Sequence, residues 1–250
     1  MKTEWDYTSL ADAYLKRPDY SDAAINKMLS IAGIVKGDKV CDVGAGVAHL
    51  TLKLLDQGLD VVAIEPNNAM RANGIKRTSG YSNIKWLEGT GEETDQPDDS
   101  FSLVTFGSSF NVTDRQVTLA ETNRIVKPQG WFACMWNHRD LNDAIQIEIE
   151  NIIKHNINDY NYGSRREEQT EVINNSGLFK EVLFMDGMVM HKQKITDCVE
   201  AWRSHATLQR QAQDKFSLVI DKIEQYLSSL GQDEITIPYM TRIWMAQVKK

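Results

Sequence analysis

Between residues 38 and 137 the chain alternates short apolar runs with amphipathic stretches. "DKVCDVG" (38–44), "DVVAIEP" (60–66), "NIKWLEG" (83–89), "FSLVTFGSS" (101–109) and "GWFACMWN" (130–137) have the length and β-rich composition of buried strands. "VAHLTLKLLDQ" (47–57), with Gly58 as a stop signal, "NNAMRANGIKRT" (67–78) and "DRQVTLAETNRIVKP" (114–128), ended by Pro128, have the pattern of helices. Strands separated by helices predict βαβ units, a parallel sheet and right-handed crossovers.

The pattern changes after residue 140. Residues 141–176 and 195–229 predict helices, the first carrying a mixed apolar stripe in "AIQIEIENIIKHNI". "FKEVLFMDGMVMHK" (179–192) predicts a sixth strand with an extension or bend near Gly187. "ITIPYMTRIWMAQV" (235–248) predicts a closing strand whose Pro238 favours an edge or a bulge. The expected organisation is one domain over 1–250, with a helical leader (1–35), a cofactor-binding core (36–140) and helical insertions (141–178 and 195–230) that form a lid over an acceptor site.

Composition narrows the classes. The 250 residues are 42% hydrophobic and 25% charged, ordinary for a globular domain, with a net charge of −7. No basic run exceeds Arg165-Arg166, which argues against a nucleic-acid partner. The start, "MKTEWDYTSLADAYL", is acidic and unlike a signal peptide, and no apolar run approaches 18 residues, so no membrane span is expected. Cys41, Cys134 and Cys198 are scattered and odd in number, fitting neither a zinc cluster nor a disulfide framework and suggesting a reducing cytoplasm. Glu92, Glu93, Asp95, Asp98 and Asp99 read as a solvated loop without metal-ligand spacing, so no metal is expected.

Candidate chemistry centres on "VCDVGAGVAHL" (40–50). A dinucleotide fingerprint needs G-x-G-x-x-G, but the sixth position from Gly44 is His49. Asp42 would repel a pyrophosphate, and no Gly-Lys-Ser/Thr follows to make a phosphate-binding loop. A ligand with an ammonium and a sulfonium, S-adenosylmethionine (SAM), reverses that logic, since an acid at the end of the first strand then favours it. Gly44 and Gly46 let the backbone turn and approach the ligand, with Ala45 between them. Glu65, 19 residues after Gly46 at the end of the second strand, can accept both hydroxyls of a ribose. The plain alternatives are a helix-capping Asp42, an N-capping Glu65 and turn glycines. It is the conjunction of strand, glycines, helix and second acid that carries the argument.

These residues resemble the class I SAM-dependent methyltransferases of the small-molecule type, often called type 11. "VCDVGAGVAHLTLKLL" is similar to that family's first motif, "VVAIEPNNAM" to its ribose motif, "EGTGEETDQPDDSFSLVTFGSSF" to its adenine and fourth-strand motif, and "LAETNRIVKPQGWFACMW" to the helix and strand that follow. The leader "YTSLADAYLKRPDY", "WNHRD" and "WRSHA" resemble relatives of trans-aconitate methyltransferase. The family usually has Thr-Gly where this chain has Val47-Ala48, and Asp or Asn where it has Thr90. The resemblance implies an α/β, Rossmann-like fold: a seven-stranded, mostly parallel sheet with helices on both faces, the last strand antiparallel, and helical lid insertions. It implies that Asp42, Gly44, Ala45, Gly46, Glu65, Pro66, Met70, Thr90, Gly91, Glu92 and Ser108 contact SAM and its product S-adenosylhomocysteine (SAH), with Tyr14 and Arg17 closing over the cofactor and holding its carboxylate.

Ligands of open α/β sheets sit outside the carboxyl ends of the strands. Ser109, Phe110, Asn111, Trp136 and Asn137 are therefore expected at the acceptor, with Trp202 and Arg203 reaching it from the insertions, where His155 and His205 also lie. Singly, each of these has core or surface packing as its plain alternative. Arg203 is the candidate for an acidic acceptor and His138 for a general base, if a phenol or amine needs one. The fourth strand lacks the Pro-Pro-aromatic tetrapeptide of nucleobase methyltransferases, again against nucleic acid. The expected reaction is metal-free, in-line transfer of the methyl group to an oxygen, nitrogen or sulfur of a small molecule, a carboxylate or hydroxyl being favoured, by a cytoplasmic monomer or homodimer. The alternatives are a catalytically inactive SAM/SAH-binding regulatory protein and a nicotinamide-dependent reductase.

Overall fold

The computed structural model describes residues 8–162 and 166–250. Seven strands form one sheet: β1 (Lys39–Val43), β2 (Asp60–Ile64), β3 (Ile84–Leu87), β4 (Phe101–Gly107), β5 (Val126–Arg139), β6 (Leu183–Lys194) and β7 (Glu234–Gln247), in the order β3-β2-β1-β4-β5-β7-β6. The β1–β2, β2–β3, β1–β4 and β4–β5 pairs are parallel, whereas β7 runs antiparallel to both β5 and β6. Six strands thus point one way and β7 the other, as expected.

Successive strand residues point to opposite faces, so each central strand feeds two cores. On one face Val40, Val61, Leu103 and Met135 pack with Ile25, Met28 and Leu29 of α2 (Asp22–Ala32) and Leu50, Leu54 and Leu55 of α3 (His49–Asp56). On the other, Cys41, Val62, Val104 and Phe132 pack with Leu119 and Ile125 of α5 (Arg115–Ile125) and Ile173 of α7 (Thr170–Asn175). The remaining core helix, α4 (Asn68–Arg77), follows β2, and the short α1 (Ala11–Tyr14) lies in the leader. A third core joins α6 (Ala144–Asn156), α8 (Ile195–Arg203), α9 (Ala206–Ala212) and α10 (Phe216–Ser229) to Ile235, Ile237 and Tyr239 at the start of β7. These last helices are the insertions that the sequence placed before β6 and between β6 and β7.

Several boundaries differ from the sequence expectation. Helix α5 ends at Ile125, and Pro128 falls in an irregular start of β5, where the ladder jumps from Phe101↔Val126 to Leu103↔Trp131. The predicted helix over 141–176 is two helices, α6 and α7, and its residues 163–165, like 1–7 of the leader, lie outside the described residues. The stretch 195–229 breaks into α8, α9 and α10, one break lying beside Gln213, whose φ is +50°. Of the extension or bend expected near Gly187, the extension forms: β6 runs through it, paired with Thr241. Its glycine admits α2, because a Cβ there would meet Ser21 Oγ at 2.7 Å and Ala24 Cβ at 2.9 Å. Pro238 lies on an interior strand, but its carbonyl accepts from Asp140 N–H just past the last β5–β7 pair, Arg139↔Tyr239. In an antiparallel strand the missing N–H would point to that same side, where β5 has ended, so the position is a local edge.

One acid is buried within this scaffold. Asp42 is fully buried on β1, its Oδ2 accepting from Thr51 Oγ1 of α3 at 2.6 Å and its Oδ1 from Thr105 Oγ1 of β4 at 3.1 Å. Burial pushes its pKa up to about 7, against the lowering effect of the two hydroxyls and reinforced by the nearby Glu65 carboxylate.

Two outcomes follow from this packing. Gly187→Ala is expected to destabilise the fold by about 1–3 kcal/mol, because the added methyl presses on the first turn of α2. Urea denaturation measures it, and unchanged or higher stability would contradict the packing argument. For Asp42 the folded pKa lies above the unfolded one, so its contribution is most favourable below about pH 4 and is lost as pH rises to 7. Asp42→Asn removes that dependence. Its stability relative to wild type should rise by about 2–3 kcal/mol between pH 5 and pH 8. A difference independent of pH would show that Asp42 does not titrate in this window.

Candidate active site

At the carboxyl ends of the parallel strands lies a cavity of about 710 Å³. That size suits a small organic ligand. Its floor is the turn after β1. Gly44 and Gly46 have φ of +67° and +56°, and a Cβ on Gly44 would lie 2.4 Å from Ser109 Cβ, so only glycine allows that approach. Ala48 completes the turn with φ +74°, in front of α3.

Glu65, just past β2, locks this turn. Its Oε2 accepts from Gly46 N–H and its Oε1 from Asn67 N–H, both at 2.8 Å, and Arg71 donates to its backbone carbonyl. The carboxyl is 7% exposed, and burial raises its pKa against those hydrogen bonds and Arg71. A carboxylate has about four acceptor positions. Glu65 therefore keeps acceptor capacity toward the cavity it lines. The Gly46 amide, which a pyrophosphate would need, is already donated to Glu65. The loop suits a ligand with a diol and no phosphate.

The cavity gathers most of the residues expected from the sequence: Gly44, Ala45 and Gly46; Glu65, Pro66 and Met70; Thr90, Gly91 and Glu92; Ser108, Ser109, Asn111 and Asn137; and Tyr14 and Arg17. Ser108, just past β4, has φ +60°, unusual for a serine, and its Oγ lies 3.0 Å from Tyr20 Oη. Backbone strain of this kind concentrates at functional sites. Arg17 stacks on Tyr14, its Nε and an Nη donating to Ser204 Oγ and O at 3.0 and 2.6 Å. It thus ties the leader to the end of α8.

Seven residues singled out in the sequence do not line the cavity. Asp42 points beneath the turn to its two threonines. Phe110 is fully buried among Phe106 and Phe132. Trp136 is fully buried against Trp244 and donates from Nε1 to Asn111 Oδ1 at 2.9 Å, orienting a cavity residue from behind. His138 falls between the cavity-lining Asn137 and Arg139, so strand alternation turns it to the opposite face, where it is 6% exposed. Trp202 is buried under Arg139 and His205. Arg203 is tied to Glu200 and, at 3.2 Å, to Glu224. His155, on α6, is exposed and bonded to the Asn151 carbonyl.

The structure adds cavity residues that the sequence reading did not assign: Tyr20, His49, Asn67, Arg139 and Tyr239, with His205 retained from the lid group. His49 Nδ1 lies 2.6 Å from Asp19 Oδ1, and Nε2 lies 2.9 Å from the Tyr14 carbonyl, anchoring the leader to the turn. Neighbouring His49 and Arg77 hold the Asp19 carboxyl below its usual range despite burial. Arg139 had a readable signal, since it is two positions beyond Asn137 on one strand and shares its face. Tyr239 is its cross-strand partner, a register fixed only by the antiparallel β7.

Comparison with known proteins gives the family and the fold. The chain is 33% identical over 135 residues to the uncharacterized methyltransferase Rv3342 of Mycobacterium tuberculosis, covering 54% of this chain and 53% of that protein. It is 32% identical over 113 residues to the demethylmenaquinone methyltransferase of Staphylococcus aureus, covering 44% and 47% respectively. The matched segment thus spans about half the length of these relatives. In fold it resembles a putative type II methyltransferase from Anaeromyxobacter dehalogenans (TM-score 0.62, 14% identity, 92% of this chain and 97% of that one). It also resembles phosphoethanolamine N-methyltransferase 2 of Haemonchus contortus, solved with S-adenosyl-L-methionine (TM-score 0.52, 13% identity, 92% and 53%). Residues 22–168, from α2 through the core strands into the first insertion, match the ubiE/COQ5 methyltransferase family, and the chain belongs to that family.

Proposed function

We propose that this protein transfers a methyl group from SAM to a small-molecule acceptor. The observation that carries the reading is Glu65, a buried carboxylate that joins the glycine turn, through Gly46 N–H, to the start of α4, through Asn67 N–H, and keeps acceptor capacity for a ribose diol. When bound, SAM supplies a methyl group made electrophilic by its sulfonium. The turn at Gly44–Gly46 would lie against the amino-acid end, with Met70, Thr90, Gly91 and Glu92 around the adenine. Ser108, Ser109 and Asn111, at the end of β4, would stand beside the reacting centre. Asn111 is oriented by Trp136, which occupies its carbonyl oxygen and leaves its NH₂ as the free end. Leader and lid, joined by Arg17 and Ser204, would exclude water and hold the acceptor in line, and such alignment is a large part of catalysis by approximation.

Calorimetric titration tests this. SAM and SAH should bind the wild type, and NADH should give no response. Glu65→Gln, which keeps one acceptor oxygen for the turn, should weaken both ligands by about tenfold, and Glu65→Ala by more. Absence of SAM and SAH binding, or binding of NADH in their place, would remove the cofactor reading.

A further inference from the structure

We propose that Arg139 binds a carboxylate on the acceptor molecule, an inference that rests on the methyltransferase reading above. Arg139 closes β5, two strands from the glycine turn, in the half of the cavity formed by Asn137, Ala201, His205 and Tyr239. Its guanidinium stacks on the Trp202 indole at 3.8 Å from the ring centroid and lies 5.7 Å from that of Tyr239. Its Nε is buried with no hydrogen-bond partner. Among the described residues no acid forms an ion pair with it. The three acids that line the cavity are engaged elsewhere: Glu65 with the turn, Glu92 with Asp114 N–H, and Asp114 as the cap of α5.

A guanidinium is charged at every relevant pH, and placing it half-buried without a counter-charge costs free energy that a bound anion offsets. The neighbouring groups favour the same occupant. His205, whose Nδ1 accepts from Leu208 N–H at 3.2 Å, adds a polar ring to the same wall. Burial raises the Tyr239 pKa, while the charge of Arg139 and a hydrogen bond with it favour the ionised hydroxyl, so the guanidinium is held beside Tyr239. One planar fork with one unmatched positive charge fits a single carboxylate, the geometry in which Arg pairs through two parallel hydrogen bonds. A phosphate dianion would leave charge unmatched. The carboxylate is an anchor that orients the acceptor. An oxygen held by a guanidinium is a poor nucleophile, so another atom of the acceptor receives the methyl.

The test uses the full chain loaded with SAH and titrated with succinate, with succinamide as the neutral counterpart and inorganic phosphate as a second anion. Succinate should bind the wild type and Arg203→Ala alike. It should bind Arg139→Gln about tenfold more weakly or worse, with partial recovery in Arg139→Lys. SAH affinity should be unchanged in Arg139→Gln, which also shows that the variant is folded. The proposal is overturned if SAH-loaded wild type ignores succinate, if Arg139→Gln binds it equally, if succinamide binds as well, or if phosphate binds more tightly. Failure of SAH to bind would instead remove the methyltransferase reading. The unloaded chain titrated with succinate, wild type against Arg139→Gln, then still decides whether Arg139 is an anion site.

Discussion

The cavity depends on one carboxylate spanning two loops. Glu65 takes Gly46 N–H after β1 and Asn67 N–H after β2, so the ends of two neighbouring strands are fixed by a single side chain. Hydrogen bonds from backbone amides to an ionised carboxylate are among the stronger ones available. The glycine turn needs such a restraint, because φ values of +67° and +56° confer no rigidity of their own. Beneath it lies a second acid, Asp42, whose ionisation is opposed by burial and by Glu65 itself. Two carboxylates at adjacent strand ends disfavour each other's charge. A cation above them would favour both ionised forms by the same physics.

The strand order determines what faces this acidic end. β1 and β4 carry the turn and the Ser108–Asn111 segment, and β5 lies one strand further out, about 10 Å from β1 by ordinary strand spacing. β7 arrives antiparallel, so its beginning, with Tyr239, reaches the same edge as the ends of the parallel strands. The core of the helical insertions packs on that beginning through Ile235 and Ile237. The leader closes the remaining side, held by His49 at the turn, Asn137 on β5 and Ser204 on the lid. Each strap residue bonds a different wall.

Much of this was legible in the chain because the signals were local. Strand runs, stop signals and the spacing from Gly46 to Glu65 all act within one βαβ unit, and they located the sheet and the turn. Reading failed where side-chain direction or a distant partner decides. His138 and Arg139 are adjacent, and the exchange of one for the other follows from alternation along β5, which can be counted once Asn137 is placed. Arg203 carries the right charge on the right helix, but Glu224 of α10 draws it outward, and no local pattern links the two. Asp42 was recognised as an acid at the strand end, yet Thr51 and Thr105 turn it inward. The Gly187 signal was real, and its cause was the approach of α2 from far away in sequence.

The proposed reading gives the cavity a polarity that the fold alone does not require. Acids lie under and beside the turn after β1 and β2, and an unmatched guanidinium lies at the end of β5. A cationic ligand in the first half and an anionic one in the second would each be favoured in its own half and disfavoured in the other's. Opposite charges placed this way orient two reactants before any contact between them forms, which is the preorganisation a displacement reaction needs. The helices that carry Trp202 and His205 share their apolar core with β7, and they reach the turn through the leader, by way of Arg17 and Ser204. In the proposed reading, cofactor recognition would belong to the sheet and acceptor recognition to its outer strands and the helical insertions.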